Sequence, residues 1–440
     1  MDNMVGTNVE TDQRSALRKV VLAGFLGTAI EWYDFVIFGS VAALVFNQLF
    51  FPNEGPVVGV LASLGTFAVG FVARPLGGLF FGQLGDRIGR RPALVITMTV
   101  MGVSTLAIGL LPSYHSIGVL APILLVLLRL IQGFSLGGEF GGVATLLLEH
   151  APRNRRGRVG SWAQVGGLVG PLVGTIVLVV LTSAMSKEAF RDWGWRIPFL
   201  VSVALIIVSI FVRRHVHESP VFTRLRTRQA VSKKPLRDVL RNNLKGVLCV
   251  FGLMCGNTIL FYTGIVFIVS YTTKEIGLSS SGALVLNIAF LVAAAIAAYV
   301  TGSLTDRVGR RKVAAGGAIA GIVFIFPAFA LLHTGSLPVM CVTMAVLGAI
   351  EGTLYGFQPA YFGELFRTEQ RYAGISAGVQ LATVVVGSTA PLIGVLLLSW
   401  SGGGTVGFSI YIVAVLAFTL LAALWAGETF KKDLEDASDH

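Results

Sequence analysis

The stretch Gly82-Gln-Leu-Gly-Asp86-Arg87-Ile-Gly89-Arg90-Arg91 occurs a second time as Gly302-Ser-Leu-Thr-Asp306-Arg307-Val-Gly309-Arg310-Arg311. The shift from 82 to 302 is half the length of this 440-residue chain. The same offset relates Gly170-Pro171-Leu-Val-Gly174 to Ala390-Pro391-Leu-Ile-Gly394. The chain therefore consists of two related halves in parallel repeat, an arrangement in which one half can rock against the other.

Each copy of the stretch follows a long apolar run, and such runs recur along the whole chain. With 54% hydrophobic and 13% charged residues, the composition excludes an ordinary water-soluble surface. Apolar runs of about 20 residues can cross a hydrocarbon layer of roughly 30 Å as helices, and the alternation that barrel strands require is weak. The predicted spans, numbered helices 1 to 12, are 20–45, 57–83, 93–112, 118–149, 158–182, 195–213, 244–272, 282–304, 313–332, 337–363, 372–399 and 404–428.

These runs predict an all-α integral membrane protein with twelve transmembrane helices in two six-helix bundles. The predicted organisation is a cytoplasmic N-terminus at 1–19, a first bundle at 20–213, a basic cytoplasmic loop at 214–243, a second bundle at 244–428 and a cytoplasmic tail at 429–440. The first apolar run is too long for a signal-peptide core and ends in no small-residue cleavage site. We therefore expect it to remain as helix 1.

The net charge of +11 is concentrated on alternate loops. Basic residues cluster before helix 1, after helices 2, 4, 6, 8 and 10, and in the tail; the loop after helix 6, with Lys233 and Lys234, is the richest. Because positively charged loops stay in the cytoplasm, both termini of this inner-membrane protein are predicted to be cytoplasmic. Topology and lipid contact explain the charge, and no nucleic-acid partner is expected. The opposite side carries only Lys187, Arg191, Arg196 and Lys274.

The cysteine and histidine residues do not have the spacing of a metal site or of a catalytic site. Cys249, Cys255 and Cys341 fall inside apolar helices, which favours a packing role. His215 and His217 form an H-x-H pair without further ligands nearby. Since no nucleophile, metal or acid–base motif is present, we expect neither an enzyme nor a bound metal or cofactor.

The repeated stretch after helices 2 and 8 resembles the signature loop of the major facilitator superfamily. Four further stretches are similar to the metabolite:proton symporter family within it: Glu31-Trp-Tyr-Asp34-Phe, Ala73-Arg74-Pro75-Leu-Gly, Arg129-Leu-Ile-Gln132-Gly133-Phe-Ser-Leu-Gly137-Gly138-Glu139 and Glu218-Ser-Pro220-Val-Phe222. The resemblance covers nearly the whole chain. It implies a carrier that works as a monomer in the bilayer, for organic acids such as oxoglutarate, citrate and shikimate, or for the zwitterions proline and betaine.

The resemblance also implies a gate at the inner end. Asp86 would meet the N-terminal end of helix 11, where a carboxylate gains from the helix dipole. Arg87 and Arg91 would pair with acidic residues such as Glu149 at the inner end of helix 4. In the second half, Asp306 with Arg307 and Arg311, and Glu364, would form an equivalent latch.

Ionisable residues inside membrane spans are costly and are functional candidates by default. We expect Arg129 to engage Glu31 or Asp34 near the midplane, and Arg74 to pair with Glu139 in the inner half. The alternative is that these are permanent ion pairs that only hold helices together. The candidates are Glu31 and Asp34 in helix 1, Arg74 in helix 2, Arg129 and Glu139 in helix 4 and Glu351 in helix 10.

A coupling mechanism follows as a hypothesis. Opening and closing a cavity changes how strongly a carboxylate holds its proton. Glu31 or Asp34 would bind a proton on the outer side and release it inside, while Arg129 binds either that carboxylate or an anionic substrate. The positions equivalent to Glu31, Asp34 and Arg129 in the second half are Phe251, Met254 and Ala349. Coupling is therefore predicted for the first half, with protons as the coupling ion.

The second half offers polar side chains that suit a polar organic substrate. Glu351 favours a substrate with a cationic or hydroxylated part and weakens the case for a simple dianion. The candidate substrate-binding residues are Arg74, Arg129, Gln132, Glu139, Asn257, Tyr262, Glu351, Tyr355 and Gln358.

The predicted function is proton symport of a small polar metabolite, with a carboxylate-bearing organic acid as the expected substrate. The alternatives are a proline/betaine-type zwitterion symporter and a proton-linked efflux antiporter. Gly166, Gly170 and Gly174 in helix 5 are spaced for close helix packing. With Gly157 and Pro171 they also resemble a helix 5 signature of drug antiporters, whose final glycine is replaced here by Thr175.

Overall fold

The computed structural model of the chain describes residues 2–53, 56–216, 218–227, 235–402, 404–430 and 432. His217, Lys233 and Lys234, and much of the predicted tail, lie outside the described residues. Within them all regular structure is helical. Ten helices are long and apolar enough to cross a membrane, and the predicted spans 57–83 and 372–399 correspond to Pro56–Ile88 and to the interrupted run from Arg371 to Trp400.

The helices of the first half run up and down in chain order. Helix 1 begins at Asp2, well before its apolar part, because the polar N-terminal residues continue the same helix. Helix 4 is interrupted at Gly137 and Gly138. The bounds are Asp2–Val41 with Ala42–Phe46 and Asn47–Phe50, Pro56–Ile88, Arg90–Leu110, Leu120–Leu136 with Glu139–His150, Arg156–Ala184, and Arg196–Arg214.

The second half repeats this pattern. Two short helices, Pro220–Thr227 and Pro235–Asn242, belong to the connection between the halves. Helices 7 and 11 each contain a π-helical turn, a feature that is frequent at functional sites. The bounds are Leu244–Tyr262 with Thr263–Phe267 and Ile268–Lys274, Ser280–Val308, Arg310–Leu332, Leu337–Gly356 with Gln358–Glu364, Arg371–Ala382 with Thr383–Gly387 and Ala390–Trp400, and Val406–Ala426.

The helix neighbours show the same repeat. Helices 1 and 5, 2 and 4, and 3 and 6 pack together in the first half, as do 7 and 11, 8 and 10, and 9 and 12 in the second. Two equivalent contacts, helix 2 with 11 and helix 5 with 8, join the halves. The predicted fold of two six-helix bundles is thus confirmed. The end that carries the loops after helices 2, 4, 6, 8 and 10 is called the basic end below.

Glycines allow the closest of these helix pairs to touch through their backbones. A Cβ at Gly166 or Gly170 in helix 5 would overlap carbonyl oxygens of helix 1, so the packing interpretation of these glycines is correct. Gly133 in helix 4 meets the backbone of helix 2 in the same way, and Gly352 in helix 10 that of helix 8. These close approaches hold helix 5 against helix 1, helix 4 against helix 2 and helix 10 against helix 8.

Candidate functional site

A buried cavity lies between the two bundles at mid-height. Its volume is about 50 Å³, far below the roughly 300–1,000 Å³ of typical ligand pockets, so the site is closed in this conformation. Helices 1, 2 and 4 line one side, and helices 7, 10 and 11 the other. The polar and aromatic lining residues are Thr28, Glu31, Trp32, Arg74, Phe140, Asn257, Thr258, Phe261, Tyr262, Glu351, Tyr355, Gln380 and Thr383.

On the first-half side, the cavity is lined by one carboxylate and one guanidinium. Glu31 and Arg74 are both buried, with 6% and 7% of their surface exposed. The Arg74 guanidinium lies over the rings of Phe35 and Phe71, with its Cζ 5.3 and 5.0 Å from the ring centroids. Aromatic faces attract a guanidinium and hold its position. Arg74 is therefore an oriented cation beside the cavity.

On the second-half side, the cavity is lined by a second carboxylate. Glu351 is fully buried, and its Oε1 accepts a hydrogen bond from Asn257 Nδ2 at 2.5 Å. Its Oε2 has no hydrogen-bond partner among the described residues. A buried polar atom without a partner is costly. This oxygen is therefore available to a proton or to a substrate donor.

Aromatic pairs close the cavity on the side away from the basic end. Trp32 packs edge-on against Phe261 at 4.9 Å between ring centroids, and Phe71 against Tyr262 at 6.4 Å. Both pairs join one half to the other. These contacts are between aromatic rings, whereas buried ion pairs join the halves at the basic end.

Asp34 lies outside the cavity, in a cluster between helices 1, 3, 4 and 6. It accepts hydrogen bonds from Thr105 at 3.0 Å, from Ser202 at 3.3 Å and from Gln132 Nε2. Gln132 Oε1 in turn accepts from Arg129 Nη1 at 2.5 Å. Gln132 thus links the carboxylate to the guanidinium.

Of the two helix 1 carboxylates that were predicted to engage Arg129, the structure links Asp34 to it through Gln132. Residues i and i+3 are about 60° apart around a helix, and here this angle separates two environments. Glu31 shares the cavity with Arg74, whereas Asp34 belongs to the cluster of Arg129 and Gln132. Arg129 and Gln132 do not line the cavity, contrary to their predicted role in substrate binding.

The predicted pair of Arg74 with Glu139 is wrong. Glu139 forms a buried ion pair with Arg213 of helix 6 and accepts a further hydrogen bond from Thr97 at 3.1 Å. A Cβ at Gly27 would overlap the Arg213 guanidinium, so this glycine makes room for the pair. Arg213 was missed because it stands at the start of a basic loop, and sequence alone does not show that its side chain is directed into the bundle.

The basic end is closed by two equivalent aspartates. Asp86 accepts hydrogen bonds from the backbone N–H groups of Ala373 at 2.9 Å and Tyr372 at 3.4 Å, at the start of helix 11. Asp306 accepts from Gly157 at 2.8 Å and Arg158 at 2.9 Å, at the start of helix 5. Each aspartate therefore binds the helix N-terminus of the opposite half.

Ion pairs lie beside both aspartates, and Arg90 and Arg310 supply them from the starts of helices 3 and 9. Glu149 is bound by Arg90 at 3.2 Å and by Arg371, from the opposite half, at 2.6 Å. Arg87 is exposed at the end of helix 2, and an Nη2 of Arg91 donates to the Arg214 carbonyl. The arginine at the ninth position of the motif, not the tenth, therefore contacts the acid, because its side chain is buried at the start of helix 3.

The second half repeats this arrangement. Glu364 is bound by Arg310 at 3.1 Å and by Arg156 of the first half at 3.4 Å, and Arg310 also contacts Asp306 at 2.9 Å. The predicted partner Arg311 instead donates its backbone N–H to Glu428 at 3.2 Å. The exposed Arg307 lies one turn before it.

Two glutamates that the sequence analysis did not assign to the gate complete it. Glu218 accepts from the backbone N–H groups that begin helix 3, and Glu428 from those that begin helix 9. Gly89 and Gly309 precede these helices with φ of 115° and 102°, a conformation that favours glycine. A Cβ at either glycine would also overlap the capping carboxylate. The matching Glu-Ser and Glu-Thr pairs after helices 6 and 12 were the available signal.

Other predicted substrate contacts divide between the cavity and the protein interior. Asn257, Tyr262 and Tyr355 line the cavity, whereas Gln358 lies between helices 5 and 10, where its Oε1 accepts from Gln164 at 3.3 Å. The sequence analysis did not name Trp32 as a candidate, although it lines the cavity and lies between Glu31 and Asp34 in the sequence. Within the described residues, no three His, Cys, Asp or Glu side chains are grouped to hold a metal ion.

A central cavity between two repeated bundles, with a barrier on each side, defines a membrane transporter of the alternating-access type. Comparison with known proteins specifies the class further. The family model described as "Sugar (and other) transporter" matches residues 19–250, and the model described as "Major Facilitator Superfamily" matches residues 258–438.

Several characterised transporters are similar over nearly the whole chain. The shikimate transporter of Escherichia coli K12 is 38% identical over 415 residues, covering 93% of this chain and 94% of the relative. The proline/betaine transporter of the same organism is 33% identical over 431 residues, covering 96% and 86%. The structure of the proton:xylose symporter XylE bound to 6-bromo-6-deoxy-D-glucose has a TM-score of 0.76 at 20% identity, covering 96% of this chain and 98% of that one.

The chain belongs to the major facilitator superfamily. It is a multi-pass inner-membrane transporter of small molecules and not an enzyme.

Proposed function

We propose that the protein is a proton-coupled symporter that carries a small carboxylate-bearing metabolite into the cell as a monomer. The observation that carries the proposal is the cavity between the halves, where one oriented arginine, Arg74, faces two buried carboxylates, Glu31 and Glu351. A substrate carboxylate would bind Arg74, and hydroxyl or cationic groups would bind Glu351. Asn257, Tyr355 and Gln380 supply further hydrogen bonds.

The orientation follows from the charge distribution. The basic end carries nearly all basic loops, and such loops remain in the cytoplasm. With both termini in the cytoplasm, the closed gate at Asp86 and Asp306 faces inward. The conformation is then one in which the inner gate is closed and the aromatic barrier faces outward.

Proton coupling is assigned to the cluster of Asp34, Gln132 and Arg129. Asp34 lies on the helix that also carries the cavity residue Glu31, one turn away, so a shift of helix 1 changes both environments together. Arginine keeps its proton, and therefore the carboxylate is the group that alternates between charged and neutral forms. Glu31 is the alternative carrier, because it shares the cavity with substrate.

A zwitterionic substrate is the second candidate. The cavity contains one cation and two carboxylates, and the unpartnered Oε2 of Glu351 favours a ligand with its own donor or positive group. The chain is similar to a shikimate transporter and to a proline/betaine transporter, which supports the same two candidate classes, organic acids and zwitterions.

The test is uptake into proteoliposomes with an imposed pH gradient, compared with exchange of labelled for unlabelled substrate without a gradient. Labelled shikimate, other organic acids, proline and betaine are the probes. A cycle with one proton and a monoanion gives an accumulation of about tenfold per pH unit. Asp34→Asn is expected to abolish accumulation and retain exchange, whereas Arg74→Gln is expected to abolish both.

The matched control is Glu188→Gln, which removes an exposed carboxylate at the opposite end and should leave both processes intact. If Asp34→Asn still accumulates substrate with the gradient and Glu31→Gln does not, Glu31 is the residue that carries the proton. Accumulation that survives in both variants would refute coupling through helix 1. Substrate extrusion driven by the opposite gradient would favour the efflux antiporter.

A further inference from the structure

A groove at the basic end is separate from the central cavity and lies beside the gate, with which it shares Glu218. It lies between the end of helix 2, the start of helix 3, the end of helix 6 and the short helix Pro220–Thr227, and its volume is about 600 Å³. This is within the range of protein ligand pockets. The transport mechanism described above makes no use of it.

The groove is positively charged. Arg91, Arg214 and Arg226 line it together with one acidic residue, Glu218. The Glu218 carboxylate is bound by backbone N–H groups, those of Arg90 and Arg91 at 3.2 Å and of Ser219 at 2.9 Å. Its negative charge is therefore balanced by the N-terminus of helix 3. The groove is left with three guanidiniums that suit a phosphate.

The remaining wall is apolar and faces outward. Ile88 and Ile96 line the groove with 43% and 40% of their surface exposed. Farther from the basic end, helices 3 and 6 expose large apolar side chains, Val103 on helix 3 and Ile207 and Phe211 on helix 6. In a membrane protein, exposed residues of this kind contact lipid chains. The arginines thus lie where the hydrocarbon layer ends and the headgroups begin.

We propose that this groove is a binding site for one anionic phospholipid molecule. Its phosphate binds the guanidiniums of Arg91, Arg214 and Arg226, and an acyl chain extends along the apolar face of helices 3 and 6. The charge of the groove selects an anionic over a zwitterionic headgroup, since basic pockets at this depth recognise anionic lipids. The apolar wall selects a lipid over a soluble phosphate.

The bound lipid would also hold the connection between the halves against the first bundle. Phe222, on the short helix, lines the groove, and the Cζ of Arg90 lies 4.5 Å from the centre of its ring. Arg90 in turn binds Glu149 of the gate. A lipid that fixes the short helix would therefore stabilise the folded protein with the basic end closed.

The experiment measures lipid binding by native mass spectrometry and thermal stabilisation of the full-length protein in neutral detergent. The probes are dioleoyl phosphatidylglycerol, dioleoyl phosphatidylcholine and inorganic phosphate. The wild type is expected to bind one phosphatidylglycerol in preference to phosphatidylcholine and to melt at a higher temperature with it. The triple variant Arg91→Gln/Arg214→Gln/Arg226→Gln is expected to bind it on the order of a hundredfold more weakly.

Two further variants distinguish binding in this groove from non-specific attraction of the lipid to the positive charge of the protein. Arg155→Gln/Arg241→Gln/Lys312→Gln removes the same charge from exposed positions and should bind as the wild type does. Thr223→Trp fills the groove and keeps every arginine, and should also lose the lipid, which decides the matter if the triple variant does not fold. Equal loss in both triple variants, retained binding in Thr223→Trp, or equal stabilisation by inorganic phosphate would overturn the proposal.

Discussion

Asp306→Asn is expected to open the basic end more often. Asp306 accepts two backbone hydrogen bonds from the start of helix 5, at 2.8 and 2.9 Å, and these exist only while the halves are in contact. The asparagine keeps one acceptor oxygen and loses the negative charge. The loss of one charge-assisted hydrogen bond at a helix N-terminus destabilises the closed state by about 2 kcal/mol. The open population should then rise about thirtyfold.

The assay is maleimide labelling of a thiol buried behind the gate. Ser376, on helix 11, is 1% exposed, and its hydroxyl has no hydrogen-bond partner among the described residues, so Ser376→Cys disturbs little. Ser376 lies against Gly82 of helix 2 and Gly141 of helix 4, whereas Asp306 contacts helix 5. Labelling at this position therefore reports opening of the whole gate. The native Cys249, Cys255 and Cys341 are replaced by serine in this background.

The control is Asp192→Asn, an exposed carboxylate at the opposite end whose ion pair with Arg191 spans 3.2 Å. Surface pairs of this kind contribute little, and the labelling rate should not change. If Asp306→Asn labels no faster than its parent, the backbone contacts do not hold the gate closed. If the control accelerates labelling equally, the effect is not specific to the gate.

Three further predictions concern packing and charge. Gly309→Ala should lower the melting temperature, because Gly309 has a φ of 102° and strain there costs about 1–3 kcal/mol. Gly316→Ala, on the helix that follows Gly309 and with open space around it, should not lower it, and equal melting of the two variants would contradict the reasoning. Arg213→Gln should destabilise the protein by about 3–5 kcal/mol by leaving the buried Glu139 unpaired; adding Glu139→Gln should restore part of the melting temperature, and no recovery would show that the guanidinium acts through other contacts. Glu351→Gln should weaken binding of a zwitterion more than binding of an organic acid in exchange assays. An equal effect on both would show that Glu351 does not recognise a positive group of the substrate.

Much of the architecture is encoded locally. The repeated stretch that begins at Gly82 and at Gly302, and the lengths of the apolar runs, were sufficient to predict two bundles of six helices. Hydrophobic runs of membrane length have few alternative structures, because every backbone polar group in lipid must be hydrogen-bonded internally. The charged residues within these runs were likewise visible, since they are rare there.

The pairing of those charges was not encoded locally. Arg129 was expected to engage Glu31 or Asp34; the structure places it in the cluster of Asp34, whereas Glu31 lines the cavity on the same side as Arg74. Their distribution depends on how helix 1 is rotated between helices 3, 4 and 6. Sequence spacing gives positions along one helix, whereas rotation is decided by packing against its neighbours.

By itself, the sequence determined the class of protein, the repeat, the number of helices and the set of residues from which the site is built. Only the tertiary structure decided that Arg213 is the partner of Glu139, that Arg90 rather than Arg91 binds Glu149, and that Glu351 in the cavity keeps one carboxylate oxygen without a hydrogen-bond partner among the described residues. The physical reason is that helix formation in lipid depends on the apolar length of each segment alone. An ion pair depends on the distance between side chains of different helices, and that distance is set by close contacts between glycines and the backbones of neighbouring helices.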